Sequence, residues 1–212
     1  MEENEKETPS ASSPPQAPPE PKPPWEEKPV PPVAADARAH AQVAELEQAV
    51  PGVVVEAVEL AGQVTVTVAF EKLATACRAC KERLGYDYLV DLTAVDWKDR
   101  PEGRFDLVYW LHRNRDERRL RLKVYAADGV EVPTATGVWK TANWMEREAF
   151  DMFGVYFAGH PNLERILTWE GFNGHPLRKD FPLEGVDTGA AIYPEVYPPG
   201  GGPVKGGAEG EA

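Results

Sequence analysis

Residues 104–125 read RFDLVYWLHRNRDERRLRLKVY, two runs rich in aromatic and aliphatic residues on either side of a polar turn. In the second run Leu120, Leu122 and Val124 alternate with Arg119, Arg121 and Lys123. Successive side chains of a strand point to opposite faces, so this run predicts a strand with one apolar and one basic face. Arg104 to His112 is its partner across the turn Asn114 to Glu117. A third strand, Tyr88 to Val95, precedes them across the turn Asp99 to Gly103. Turns this short join strands only as an antiparallel meander.

Upstream, Ala34 to Val50 has Val43, Leu46 and Val50 at helical spacing and ends at Pro51-Gly52. Val53 to Val58 and Val64 to Phe70 form a predicted hairpin around Ala61-Gly62. Glu71 to Leu84 is a second helix, closed by Gly85. Downstream of the meander, Thr136 to Phe153 carries Val138, Ala142, Met145, Ala149 and Phe153 as a buried helical stripe. The class expected is α+β: helices packed on a mostly antiparallel sheet, with a long extended C-terminal region. A loop-rich stretch this long marks function or an interface. The expected divisions are a disordered Pro/Glu-rich arm over 1–35, the α+β domain over 36–155, an extended docking region over 156–197, and a Gly-rich tail over 198–212.

Eleven of the 21 prolines fall between Pro9 and Pro32, in a segment too poor in apolar residues to offset its ordering entropy. The formal charge of −12 argues against a nucleic-acid binder, which needs a basic footprint. The best candidate for a membrane span, Val53 to Phe70, is interrupted by Glu56, Glu59 and Gln63. The acidic N-terminus does not read as a secretory signal, so a protein inside the cell is expected, reaching a membrane only by holding something that spans one. Cys77 and Cys80 are the only cysteines. A zinc site or iron–sulfur cluster usually takes four ligands, and a CxxC inside an Ala-rich helix reads as two reduced thiols rather than a redox pair. No phosphate-cradling loop, dinucleotide fingerprint or nucleophile elbow is present.

Four groups of residues could carry chemistry. Glu146, Arg147, Glu148 and Asp151 crowd one helix; close carboxylates can do acid/base work, but no nucleophile or metal accompanies them. A charged face that docks or forms ion pairs, with Arg147 placed to reach Asp151, is the better reading. His160 and His175 lie in two Gly-His-Pro tripeptides. They read either as a two-histidine metal or proton site or as two turns whose histidines bond nearby backbone, and the second needs no further ligand. Arg178-Lys179-Asp180 is either a solvated loop or an interface cluster. The basic run Arg113 to Lys123 lacks the exposed aromatics that RNA stacking needs, Tyr125 being the only near candidate, and suits a solvated sheet face or an acidic partner.

From Glu146 onward the residues are specific. Glu146-Arg147-Glu148, Asp151, Phe153-Gly154, Phe157, Gly159-His160-Pro161, Leu163 and Arg165-Ile166-Leu167 resemble the signature of the C subunit of NADH-quinone oxidoreductase (respiratory complex I), the 30-kDa subunit family. Gly174-His175-Pro176-Leu177-Arg178-Lys179-Asp180-Phe181-Pro182-Leu183 is similar to the segment that follows it there. Glu164 departs from the basic residue relatives often carry. The resemblance implies a structural subunit of the peripheral arm, with no catalytic centre and no cofactor of its own. FMN and iron–sulfur clusters would sit in partner subunits. It implies docking on the large D subunit, with the B and I subunits as neighbours, peripheral to the cytoplasmic side of the bacterial inner membrane, in support of electron transfer from NADH to quinone. Glu146, Arg147, Glu148, Asp151, His160, Arg165, His175, Arg178, Lys179 and Asp180 are the expected docking residues. The alternatives are the equivalent subunit of a membrane-bound hydrogenase or a ferredoxin/quinone oxidoreductase, or a free-standing metal-dependent hydrolase using His160 and His175.

Overall fold

A computed structural model of the chain describes residues 33–169 and 171–183; the expected N-terminal arm up to 32, the end of the docking region and the Gly-rich tail lie outside the described residues. In chain order the elements are β1 (Ala35–Asp36), α1 (Ala41–Ala49), β2 (Val54–Leu60), β3 (Gln63–Val68), α2 (Leu73–Glu82), β4 (Tyr88–Asp96), β5 (Phe105–Arg113), β6 (Arg118–Ala126), β7 (Val132–Pro133), α3 (Ala142–Phe153) and β8 (Phe157–Ala158). The meander is antiparallel as expected, pairing Leu111 with Leu120, Tyr109 with Leu122 and Leu107 with Val124. The hairpin turns on Ala61 and Gly62, both with positive φ (51° and 74°), the backbone sense that matches the twist of the flanking strands.

The six-stranded sheet runs β1-β2-β3-β6-β5-β4. One junction was not foreseen: β3 pairs with β6 in parallel, Val66 against Leu122. The meander returns its last strand to the hairpin, and the chain between the parallel neighbours β3 and β6, which runs through α2, β4 and β5, supplies the long crossover that parallel pairing requires. Four of the five pairings in this sheet remain antiparallel. A two-residue parallel pair, β7 with β8, stands apart.

The inward residues of the strands, among them Val66, Leu92, Leu107, Tyr109, Leu111, Leu120 and Leu122, are buried with Val43 and Leu46 of α1, Leu73, Cys77 and Cys80 of α2, and Ala142 and Ala149 of α3. Burial stabilises each such aliphatic side chain by about 2 kcal/mol. The thiols of Cys77 and Cys80 face this core. Burial pushes Cys77 up to about 12, with the charge of Glu146 adding to it, and holds Cys80 well above its ordinary value, so neither is a ready thiolate.

Two helices start later than their sequence patterns suggest. Ala35 and Asp36 pair with Glu59 and Val58 at the sheet edge, and the ring of His40 accepts the amide of Gln42 to open α1 one turn beyond them. The stretch before α3 is held instead by Trp139, whose buried indole donates to Tyr86 O. It is also held by Ala135, whose amide donates to Glu146.

Candidate functional site

On α3, Glu146 and Asp151 have no exposed surface (0% each), which corrects their placement on an outward charged face. Glu146 lies four residues after Ala142 and three before Ala149, on the apolar stripe itself. Its carboxylate accepts the Ala135 amide at 2.6 Å and the Thr134 hydroxyl at 2.5 Å. Burial raises its pKa to about 7 against the pull of those two bonds. The arrangement fastens β7 and the following loop to α3.

Asp151 organises the other end of the helix. Its carboxylate accepts the amides of Ile166, Leu167 and Thr168 at 2.8–3.0 Å, the Thr168 hydroxyl, and Arg165 at 2.9 Å. Burial would raise its pKa, but these bonds outweigh it and the group is held low. The expected partner Arg147 is engaged elsewhere, donating to Glu164 O and Arg165 O and lying over the ring of Trp144.

The last carbonyls of a helix lack intrahelical donors. Here the His175–Arg178 segment supplies them. His175 Nδ1 bonds Asp151 O at 2.9 Å, the Leu177 amide donates to Met152 O at 3.1 Å, and Arg178 Nε donates to Phe153 O at 2.6 Å. Because a carbonyl only accepts, Nδ1 carries the proton; burial, with Arg178 and Arg165 nearby, lowers the pKa of this ring. Gly154 makes the close approach possible. It has φ 75°, and a Cβ there would lie 2.6 Å from His175 Nε2 and 2.8 Å from Arg178.

Beyond the cap, Arg178 makes a two-pronged pair with Asp128 at 2.8 and 3.0 Å. Arg104 contacts Asp96 through two nitrogens (2.8 and 2.9 Å), Asp128 (3.1 Å) and Asp180 (2.5 Å). Asp96 also accepts the amide of Lys179 at 2.8 Å. Burial opposes ionisation of Asp96, but Arg104 and the amides of Lys179 and Lys98 win and hold it at about 2. Asp96, Arg104 and Asp128 were missed in the sequence. The alternation Leu92, Ala94, Asp96 did mark an inward-facing acid in β4.

The histidines do not come together. His160 Nε2 bonds Asn143 O, and its Nδ1 accepts the Asn162 amide, so its ring closes a turn at the start of α3. His175 binds at the other end, eight residues or about 12 Å along the axis. Both bond backbone, as the simpler reading held, and among the described residues no group of three His, Cys, Asp or Glu side chains could hold a metal ion. Of the ten expected docking residues, eight are engaged within the chain. Glu148 and Lys179 have exposed side chains. Trp144, Tyr156, Leu167, Leu177 and Leu183 are also exposed, Leu183 almost fully (98%).

Residues 66–187 match the family described as respiratory-chain NADH dehydrogenase, 30 Kd subunit. The chain is 48% identical over 130 residues to the NADH-quinone oxidoreductase C subunit of Geobacter sulfurreducens, covering 61% of this chain and 80% of that one. It is 48% identical over 124 residues to the corresponding C subunit of Phenylobacterium zucineum, covering 58% of this chain and 59% of that relative. Among solved structures it is similar to a chain of the membrane-bound sulfane sulfur reductase, an archaeal respiratory membrane complex, at 26% identity and a TM-score of 0.56, covering 69% of this chain and 86% of that one. No helix among the described residues is long and apolar enough to cross a membrane. The match covers α3 and its capping segment as well as most of the sheet, and the chain belongs to the respiratory-chain NADH dehydrogenase 30 kDa subunit family.

Proposed function

We propose that this chain is a structural subunit of the peripheral arm of a proton-translocating NADH-quinone oxidoreductase. It docks on the large D subunit beside the B and I subunits, on the cytoplasmic side of the bacterial inner membrane. Electrons pass from NADH to quinone through FMN and iron–sulfur clusters held by partners, and this chain contributes position rather than chemistry. The observation that carries the reading is the C-terminal segment itself. Irregular chain over 159–169 and 171–183 is held by Asp151, Asp96 and the cap on α3, yet it turns Leu167, Leu177 and Leu183 outward. A segment ordered in advance loses less entropy on binding, which is what a docking surface gains from such internal bonding.

Leu167→Asp combined with Lys179→Glu tests it, since neither side chain makes a hydrogen bond or ion pair among the described residues. Affinity capture of the tagged full chain from detergent-solubilised native membranes should return the B, D and I subunits with NADH–quinone activity for the wild type. The variant should lose about tenfold in yield while keeping its thermal midpoint. Equal recovery of both would remove this surface from the interface. The likeness to a chain of the sulfane sulfur reductase favours, as a second reading, the equivalent subunit of a related membrane-bound oxidoreductase. Co-purification of a large subunit without NADH–quinone activity would select it.

A further inference from the structure

Alternate residues of β5 and β6 point away from the helices: Val108, Trp110 and His112 on one strand, Arg119, Arg121, Lys123 and Tyr125 on the other. The two ends of this uncovered face differ in charge. At one end the cations are compensated: Arg100 pairs with Asp106 at 2.5 Å, Lys123 approaches the same carboxylate at 3.9 Å, and the Arg100 guanidinium lies 4.5 Å over the Tyr125 ring. At the other end they are not. Arg121 lies 3.8 Å over the ring of Trp110, its cross-strand partner, and its Nε is buried with no hydrogen-bond partner among the described residues. Neither Arg121 nor its neighbour Arg119 pairs with a carboxylate among the described residues. Burial alone pulls the Arg121 pKa down, the mark of a cation lacking a counter-charge.

We infer that the uncovered sheet face around Trp110, Arg119 and Arg121 is a second docking surface, and that it takes a carboxylate-bearing segment of a partner subunit. The inference rests on the assembly reading above. Charge complementarity names the occupant. In a chain of net charge −12 this patch sets Arg119 and Arg121 against one carboxylate of the same face, Asp91, the β4 partner of Trp110, so positive charge is in excess there, and oppositely charged surfaces both steer encounter and fix register. Arg121, held flat on an indole, has less freedom to lose than a free side chain, and its planar fork suits a carboxylate. Arg and Trp together are also the residues most often dominant at interface centres. Arg119 and Arg121 are two residues apart on one face, about 7 Å, so acidic residues at alternate positions of an extended segment meet both. Tyr88 is paired with His112 across β4 and β5 and is half-exposed, giving the patch an apolar rim.

The test places an amine where the guanidinium is. In the intact complex purified with R121K in the full chain, a carbodiimide joins that amine directly to any carboxylate in contact. The expected product is a cross-link from position 121 to an Asp or Glu of a partner subunit, located by mass spectrometry. A complex recovered at wild-type yield with no such link overturns the inference and leaves the assembly reading standing. Links only to this chain's own carboxylates, or to a second copy, also overturn it. A wild-type chain recovered with no partner overturns both. In parallel, Arg119→Glu with Arg121→Glu should lower the yield of complex about tenfold with its thermal midpoint kept, and an unchanged yield counts against the proposal.

Discussion

Glu146 shows how far one side chain can depart from what its neighbours in sequence suggest. In a run of charged residues it reads as part of a face that docks or forms ion pairs, yet it is buried and holds Ala135 and Thr134. Its folded pKa of about 7 lies above the ordinary 4.5. Between those values the folded state binds more protons than the unfolded one, so stability falls as pH rises through this window and is flat above it. The difference is on the order of 3 kcal/mol. Glu146→Gln keeps both contacts, because the amide oxygen accepts from Ala135 and the amide nitrogen donates to Thr134. Urea midpoints measured at pH 5 and pH 8 should fall for the wild type and stay level for the variant, with the variant the more stable at pH 8. A variant weakened equally at both pH values would show that the charge itself is needed. The signal for Glu146 was present in its spacing on the Ala142–Ala149 stripe. No local pattern tells whether a carboxylate on such a stripe will find donors.

At the scale of elements, strands were legible and helix beginnings were not. Alternation is a property of the run itself, and the three meander strands and the hairpin stand within a residue or two of their expected bounds. Where α1 and α3 begin depends on competitors for the same backbone groups, the sheet edge for Ala35 and Asp36 and the Glu146 anchor for Ala135. The end of α3 is likewise a tertiary matter, capped by residues more than twenty positions away. Gly154→Ala tests that cap. The added methyl sits in a left-handed conformation and against His175 and Arg178. It should cost about 2 kcal/mol and make bonds between 172 and 183 susceptible to limited proteolysis. A variant as resistant as the wild type would mean the His175–Arg178 segment does not depend on this close approach.

Across the whole molecule, the ends of β4 and β5, the loop at Asp128 and the segment 178–180 are joined through Arg104 and Arg178. Arg178 therefore cannot be reversed in charge without loosening the domain, and a double reversal at Arg178 and Lys179, which would serve for a solvated loop, would confound folding with docking. Acid should loosen the same junction. Asp96 has its pKa lowered from 3.8 to about 2, so its contribution is present above 3.8 and is lost as pH falls through about 2, on the order of 2 kcal/mol. Thermal midpoints at pH 5 and pH 2.5 should differ more for the wild type than for Asp96→Asn, and equal differences would remove Asp96 as the cause. By itself the sequence determined the α+β class, the meander, the hairpin and the family, because periodicity and a dense run of specific residues are local properties of the chain. Only the tertiary structure decided that β3 lies parallel to β6, that Glu146 and Asp151 point inward, and that the two histidines serve opposite ends of one helix. Pairing, burial and counter-charge depend on residues distant in sequence, and no local pattern names them.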